Sequence, residues 1–94
     1  MALFAILCFD KPGALELRMA TRPTHLDYLS GTTALKAAGP FLDADGKPEG
    51  SMLIVEFETE AEAKTFADND PYNLAGLFQR VEVRPWRLAL GAFA

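Results

Sequence analysis

The sequence predicts an α+β domain, an antiparallel sheet with helices on one face. A short apolar run near the N-terminus, Leu3 to Phe9, has the length of a buried strand. Two later segments, Ser51 to Phe57 and Arg80 to Arg84, alternate in polarity with a period of two. Between these strands lie stretches rich in helix formers, one opened by the capping box Thr59-Glu60-Ala61-Glu62.

Leu3-Phe4-Ala5-Ile6-Leu7-Cys8-Phe9 reads as a central strand stopped by Asp10-Lys11-Pro12-Gly13. Helix formers dominate from Ala14 to Ala38, with Leu26, Leu29, Thr33 and Ala37 near one helical face. Pro23 interrupts this stretch. It either kinks one long helix or sits in the first turn of a second, capped by Thr21 or Arg22. Gly39-Pro40 ends the helical region, Phe41-Leu42 opens a short strand, and Asp43-Ala44-Asp45-Gly46 forms a turn. In the next strand Leu53, Val55 and Phe57 share one face, and Met52, Ile54 and Glu56 the other. The capped helix then turns Ala63, Phe66 and Ala67 to the core, and Asp70-Pro71 starts a short further turn stopped at Gly76. Val81 and Val83 alternate with Arg80, Glu82 and Arg84. Pro85-Trp86 bends or ends that strand, and Leu88 to Ala94 is an apolar tail. The order β-α-β-β-α-β is the split βαβ arrangement of a ferredoxin-like fold.

Ninety-four residues make one domain, residues 1–94, with no repeat, linker or low-complexity segment. Half of the residues are apolar and seven are phenylalanines, more than one small core can hide, which predicts an oligomer. The net charge of −4, with acids and bases scattered, disfavours nucleic acid and fits a small-molecule ligand. The single cysteine, Cys8, forms no internal disulfide and reads as a buried thiol of a reducing compartment. Ala2 to Phe9 lacks a basic flank and is too short to span a bilayer, so the expected location is cytoplasmic, away from membranes.

His25, in Arg22-Pro23-Thr24-His25-Leu26, is the only histidine, and the imidazole is the side chain suited to proton chemistry near neutral pH. If Pro23 opens a helix, His25 lies in its first turn, where the helix dipole favours a neutral ring. The plainer reading is a half-exposed helix histidine without a task. On a continuous helix Arg18, Arg22 and His25 share a face, as a cationic lip for an anionic group or as a solvated surface. Asp70, before Pro71, is a favoured helix N-cap and also a carboxylate able to orient His25. The two roles are compatible if one oxygen caps while the other meets the imidazole. Ser51 is a donor to a ligand or a plain strand-start hydroxyl. Tyr72 and Trp86 wall an aromatic pocket, or pack in the core or a subunit interface. One histidine and one cysteine far apart make no metal site, and there is neither a Gly-rich phosphate loop nor a Gly-x-Ser-x-Gly elbow.

The phrases Arg22-Pro23-Thr24-His25-Leu26-Asp27-Tyr28-Leu29, Ala38-Gly39-Pro40, Asp70-Pro71-Tyr72 with Ala75-Gly76-Leu77, and Val81-Glu82-Val83-Arg84-Pro85-Trp86 occur in an order that resembles the YciI-like family. The resemblance runs from Leu3 to about Trp86. It implies a ferredoxin-like subunit, a homodimer of the dimeric α/β-barrel kind with sheets packed together, and an active site pairing a histidine with an aspartate. On this chain those positions are His25 and Asp70. It also implies, for some members, elimination or isomerisation on small ring compounds, chlorinated hydroxyquinones among them.

The first functional expectation is a cofactor-free lyase or isomerase acting on a small oxygenated ring compound. In it His25 is the general base, Asp70 fixes its tautomer, and Arg22 or Ser51 stabilises an enolate oxygen, with Arg18 and Tyr72 also at the substrate. The alternative is a non-catalytic small-molecule-binding or accessory module. A third reading gives His25 to haem, or the fold to flavin, with no other residue in support.

Overall fold

The computed structural model describes residues 1–93. Its elements are β1 (Ala2–Asp10), α1 (Leu15–Ser30), β2 (Leu35–Leu42), β3 (Pro48–Phe57), α2 (Glu60–Asp68), α3 (Pro71–Leu74) and β4 (Phe78–Trp86). The strands form one sheet in the order β2-β3-β1-β4, and every neighbouring pair is antiparallel. This is the ferredoxin-like βαββαβ topology.

Alternation along the strands divides the sheet into two faces. Phe4, Ile6 and Cys8 of β1 and Leu53 and Val55 of β3 meet Leu29 of α1 and Ala63 and Ala67 of α2 in the core. Each fully buried Leu, Ile or Val stabilises the fold by about 1.5–3 kcal/mol, so this face sets the register. The opposite face carries Ala5, Leu7, Ala37, Met52, Ile54, Arg84 and Trp86 around a hollow of about 450 Å³, which Pro85 and Phe93 also line. Met52 and Trp86 are 41% and 39% exposed there, so the middle of this side is apolar and uncovered by helices, bordered by Glu82 and Arg84 of β4.

α1 is one continuous helix with Pro23 inside it. His25 therefore lies mid-helix, not in a first turn, and the dipole argument for a neutral ring does not apply to it. A proline inside a helix costs about 3 kcal/mol through its missing N–H and its clash with the preceding turn. Here Arg18, His25 and Leu29 are all buried on the face toward the sheet, so anchoring on both sides of Pro23 offsets that cost.

The helical region expected to reach Ala38 ends at Ser30, and the strand expected to open at Phe41 already begins at Leu35. Ala38 pairs with Leu53 and Pro40 with Ser51, on the edge of the sheet. The helix preference of alanine is worth only a fraction of a kcal/mol per residue and yields to the ladder offered by β3. Proline is tolerated on an edge strand because its missing N–H need not serve the sheet.

α2 begins as expected. Thr59 accepts from the Glu62 N–H at 3.2 Å, and the Glu62 carboxylate accepts from the Thr59 N–H at 3.1 Å. β4 runs through Pro85 to Trp86. The tail from Leu88 to Phe93 forms no helix or strand, and Ala94 lies outside the described residues. Among the described residues no helix is long and apolar enough to cross a membrane.

Candidate active site

Helix α1 presents Arg18, Arg22 and His25 to a cleft between itself and the β2-β3 edge of the sheet. Met19, Leu26, Ala38, Gly39, Pro40, Ser51, Leu53 and Tyr72 are among the other residues around it, and its volume is about 170 Å³. Spacings of four and three residues on an unbroken helix put the three side chains on one face. Arg18 and His25 are 4% and 7% exposed, which makes them a buried charge and a buried imidazole in a small domain.

The His25 Nδ1–H donates to Asp70 Oδ1 at 2.8 Å across a separation of forty-five residues. Asp70 is 3% exposed and caps α3, its Oδ1 accepting the Tyr72 N–H at 2.9 Å. The same oxygen therefore serves the cap and the imidazole, where the sequence led us to expect one oxygen for each. A carboxylate oxygen carries two lone pairs, so the sharing is chemically sound. With Nδ1 occupied by an ionised carboxylate, the proton of a neutral ring sits on Nδ1 and the lone pair on Nε2.

Tyr72 stacks on the imidazole with 3.9 Å between ring centroids and 17° between planes. It is 1% exposed and packs edge-on against Phe78. Burial pushes the Tyr72 phenol above its usual pKa, against the opposing pull of the Arg18 and Arg22 charges. The Arg18 guanidinium carbon lies 4.6 Å from the Tyr72 ring centre, within cation–π range.

Arg18 is itself held from behind. Its Nε donates to Asp10 Oδ2 at 2.7 Å and its Nη2 to Asp10 Oδ1 at 3.0 Å. Nη2 also donates to Ser51 Oγ at 2.9 Å. Burial works against the Arg18 charge, but the Asp10 hydrogen bonds and charge outweigh it and hold its pKa above the usual arginine value. Arg22 is exposed at the cleft mouth and has no acidic partner among the described residues.

The structure thus brings His25, Asp70, Arg18, Arg22, Ser51 and Tyr72 together, while Trp86 lies on the opposite face of the sheet. Asp10 is a site residue that sequence reasoning misses, because Lys11-Pro12-Gly13 beside it mark the end of a strand. Its signal was parity: alternation from Phe4, Ile6 and Cys8 points Asp10 to the helix side, where an acid requires a partner. Cys8, 1% exposed on that side, has its thiol pushed up to about 12 by burial and by the Asp70 charge, which favours the protonated thiol at neutral pH. No three His, Cys, Asp or Glu side chains among the described residues are grouped to hold a metal.

A ferredoxin-like sheet whose first helix and one strand edge enclose a small, mainly apolar cleft with a few polar side chains defines the class of this domain. Within that class the chain belongs to the YCII-related domain family, whose model matches residues 2–87. It is 36% identical over 94 residues to Protein YciI of Escherichia coli O6:H1, covering 90% of this chain and 96% of that protein. It is 37% identical over 93 residues to an uncharacterized protein of Haemophilus influenzae, covering 89% and 95%. Among solved structures it is similar to 5-chloro-2-hydroxyhydroquinone dehydrochlorinase (TftG) from Burkholderia phenoliruptrix AC1100, in complex with 2,5-dihydroxybenzoquinone. The TM-score there is 0.85 at 37% identity, over 90% of this chain and 93% of that one. An antibiotic biosynthesis monooxygenase at 14% identity and a TM-score of 0.59, covering 96% and 100% of the two chains, shares the fold alone.

Proposed function

We propose that this chain is a cofactor-free lyase or isomerase that removes a proton from a small oxygenated ring compound, with His25 as general base. The observation that carries the reading is the buried 2.8 Å contact between His25 Nδ1 and Asp70 Oδ1 beside a cleft that His25 lines. A base needs its free lone pair at the substrate and its protonated form stabilised, and a carboxylate at Nδ1 supplies both. Proton removal from a ring hydroxyl, or from the carbon beside a carbonyl, leaves negative charge on a ring oxygen, and in this reading Ser51 and Arg22, which line the same cleft, receive it. The electron pair then expels a leaving group with its bonding electrons, or the proton returns at another carbon. Likeness to a dehydrochlorinase bound to a dihydroxybenzoquinone supports the same ligand class.

The functional unit in this reading is a single-domain cytoplasmic homodimer whose two sheets pack through their uncovered apolar faces. A cleft of about 170 Å³ is smaller than the roughly 300–1,000 Å³ of ordinary ligand pockets, which fits a compact, single-ring ligand.

The test is turnover of 5-chloro-2-hydroxyhydroquinone, followed by chloride release, for the wild type and for His25→Ala. We expect the variant to keep its fold and lose about 10²–10⁴ in rate. Undiminished turnover by folded His25→Ala would overturn the role of His25. Saturable binding by the wild type without turnover would favour a binding module.

A further inference from the structure

We infer that Asp10 is a positioning residue which, acting through Arg18, makes the Ser51 hydroxyl a dedicated hydrogen-bond donor to a ligand oxygen in the cleft. The inference deepens the reading of the cleft given above and rests on it. Asp10 itself takes no part in the proton transfer proposed there.

The Asp10 and Arg18 side chains are 5% and 4% exposed. A buried ion pair contributes little net stability compared with apolar packing of the same volume, so packing alone does not account for it. Its geometry does account for it. The fork of Arg18 Nε and Nη2 on both Asp10 oxygens fixes the guanidinium plane. In that plane Nη2 also reaches Ser51 Oγ at 2.9 Å. Arg18 has no acceptor, so Ser51 must accept there, and its own O–H proton is left to point elsewhere.

Among the described residues no acceptor takes that proton, although Ser51 is only 4% exposed. Ser51 lines the cleft alongside His25. A buried hydroxyl proton without a partner is costly, and an oxygen on a ligand removes the cost. Arg18 by itself, untethered, would compete with Ser51 for that oxygen. Tethered to Asp10, it presents Ser51 instead. The cleft therefore selects ring compounds that carry an acceptor oxygen at the Ser51 side, separate from the atom facing His25.

The probe is 2,5-dihydroxybenzoquinone, with binding followed by its visible absorbance. Ser51→Ala and Asp10→Asn are each expected to weaken binding about tenfold, the worth of one strong hydrogen bond. The double variant Asp10→Asn/Ser51→Ala is expected to bind no more weakly than Ser51→Ala alone, because Asp10 acts through Ser51. The His25 ring signals should stay unchanged in Asp10→Asn. Wild-type affinity in Asp10→Asn, or additive losses of about a hundredfold in the double variant, would overturn the inference.

Asp10→Asn leaves a buried unpaired guanidinium, so Asp10→Asn/Arg18→Met serves where the single variant does not fold. It should fold and bind about tenfold more weakly than wild type, and full affinity would overturn the inference. If the wild type binds no quinone, the proposed ligand class falls. The Arg18 Nε–H proton signal then decides the positioning claim without ligand: protection from exchange that is lost in Asp10→Asn supports it, and rapid exchange in the wild type overturns it.

Discussion

The Tyr72 ring lies 3.9 Å from the His25 imidazole at an interplanar angle of 17°, and the Tyr72 N–H donates to the Asp70 Oδ1 that also meets His25 Nδ1. One short element therefore holds the imidazole twice, in its plane through a carboxylate and across its plane through an aromatic face. Pro71 at the first position of α3 pre-sets the backbone that makes this possible.

Tyr72→Phe keeps the stacking face and the cap, whereas Tyr72→Ala opens a cavity beside the imidazole. Truncating a buried aromatic residue to alanine costs about 3–5 kcal/mol. We expect Tyr72→Phe to stay within about 1.5 kcal/mol of wild type, as volume-conserving changes do. Urea unfolding measures both, and the line widths of the His25 ring protons report the loosened ring. Equal stability of Tyr72→Ala and wild type would contradict the packing described for this residue.

Asp70→Asn separates the cap from the imidazole partner. Asparagine caps a helix about as well as aspartate, so stability should fall by no more than about 1 kcal/mol. The imidazole, however, loses the carboxylate that keeps its proton on Nδ1, and the proton redistributes between the ring nitrogens. Nitrogen-15 spectra of the single histidine will show the change, and turnover should drop by about 10²–10⁴. Unaltered ring-nitrogen shifts in Asp70→Asn would return Asp70 to the cap alone.

Much of the fold was legible because its strongest signals were local. β1 announces itself as an apolar run, β3 as an alternation, and α2 as a capping box, and each appears where expected. Of β2 only the end at Phe41-Leu42 was legible, since Ala37 and Ala38 prefer helix and only the partner strand overrides them. The unbroken course of α1 through Pro23 was one of two alternatives, decided by burial on both sides of the proline. At the site, the residues that meet were each visible as chemistry-bearing side chains. Their contacts were not, because forty-five residues separate His25 from Asp70 and thirty-three separate Arg18 from Ser51. Asp10, read as punctuation, shows the cost of judging an acid by its neighbours in sequence when strand parity assigns it to a face.

Cys8 gives the stability curve an alkaline edge. Burial, then the Asp70 charge, raises its thiol from 9.0 to about 12 in the folded chain. A raised acid favours the folded state fully below the unfolded value, so its contribution is intact below pH 9 and is lost as the pH rises toward 12. The Tyr28 and Tyr72 phenols, raised first by burial, act with the same sign. We expect unfolding midpoints in urea to decline progressively above pH 9 and the decline to be shallower in Cys8→Ala. A thiol reagent should label Cys8 only as the chain unfolds. Rapid labelling of the folded protein at neutral pH would contradict the burial of this thiol.

The uncovered sheet face leads to the last prediction. Met52 sits at the middle of β3, opposite Leu7 on one side and Gly39 on the other, and points away from the helices with Ile54 and Trp86. In the homodimer we propose, two such faces pack together, and two-fold symmetry places any substitution there twice in the interface. Met52→Glu then buries two carboxylates at a cost of several kcal/mol each, which disfavours association through this face. Light scattering should give about twice the 10.3 kDa chain mass for the wild type and a value near 10.3 kDa for Met52→Glu. His25 and Asp70 lie on the helix side of the sheet, so their ring-nitrogen signature should survive in the monomer even where ligand binding weakens. A wild type of single-chain mass at micromolar concentration, or a Met52→Glu variant that stays dimeric, would show that this face is not the one that joins two copies.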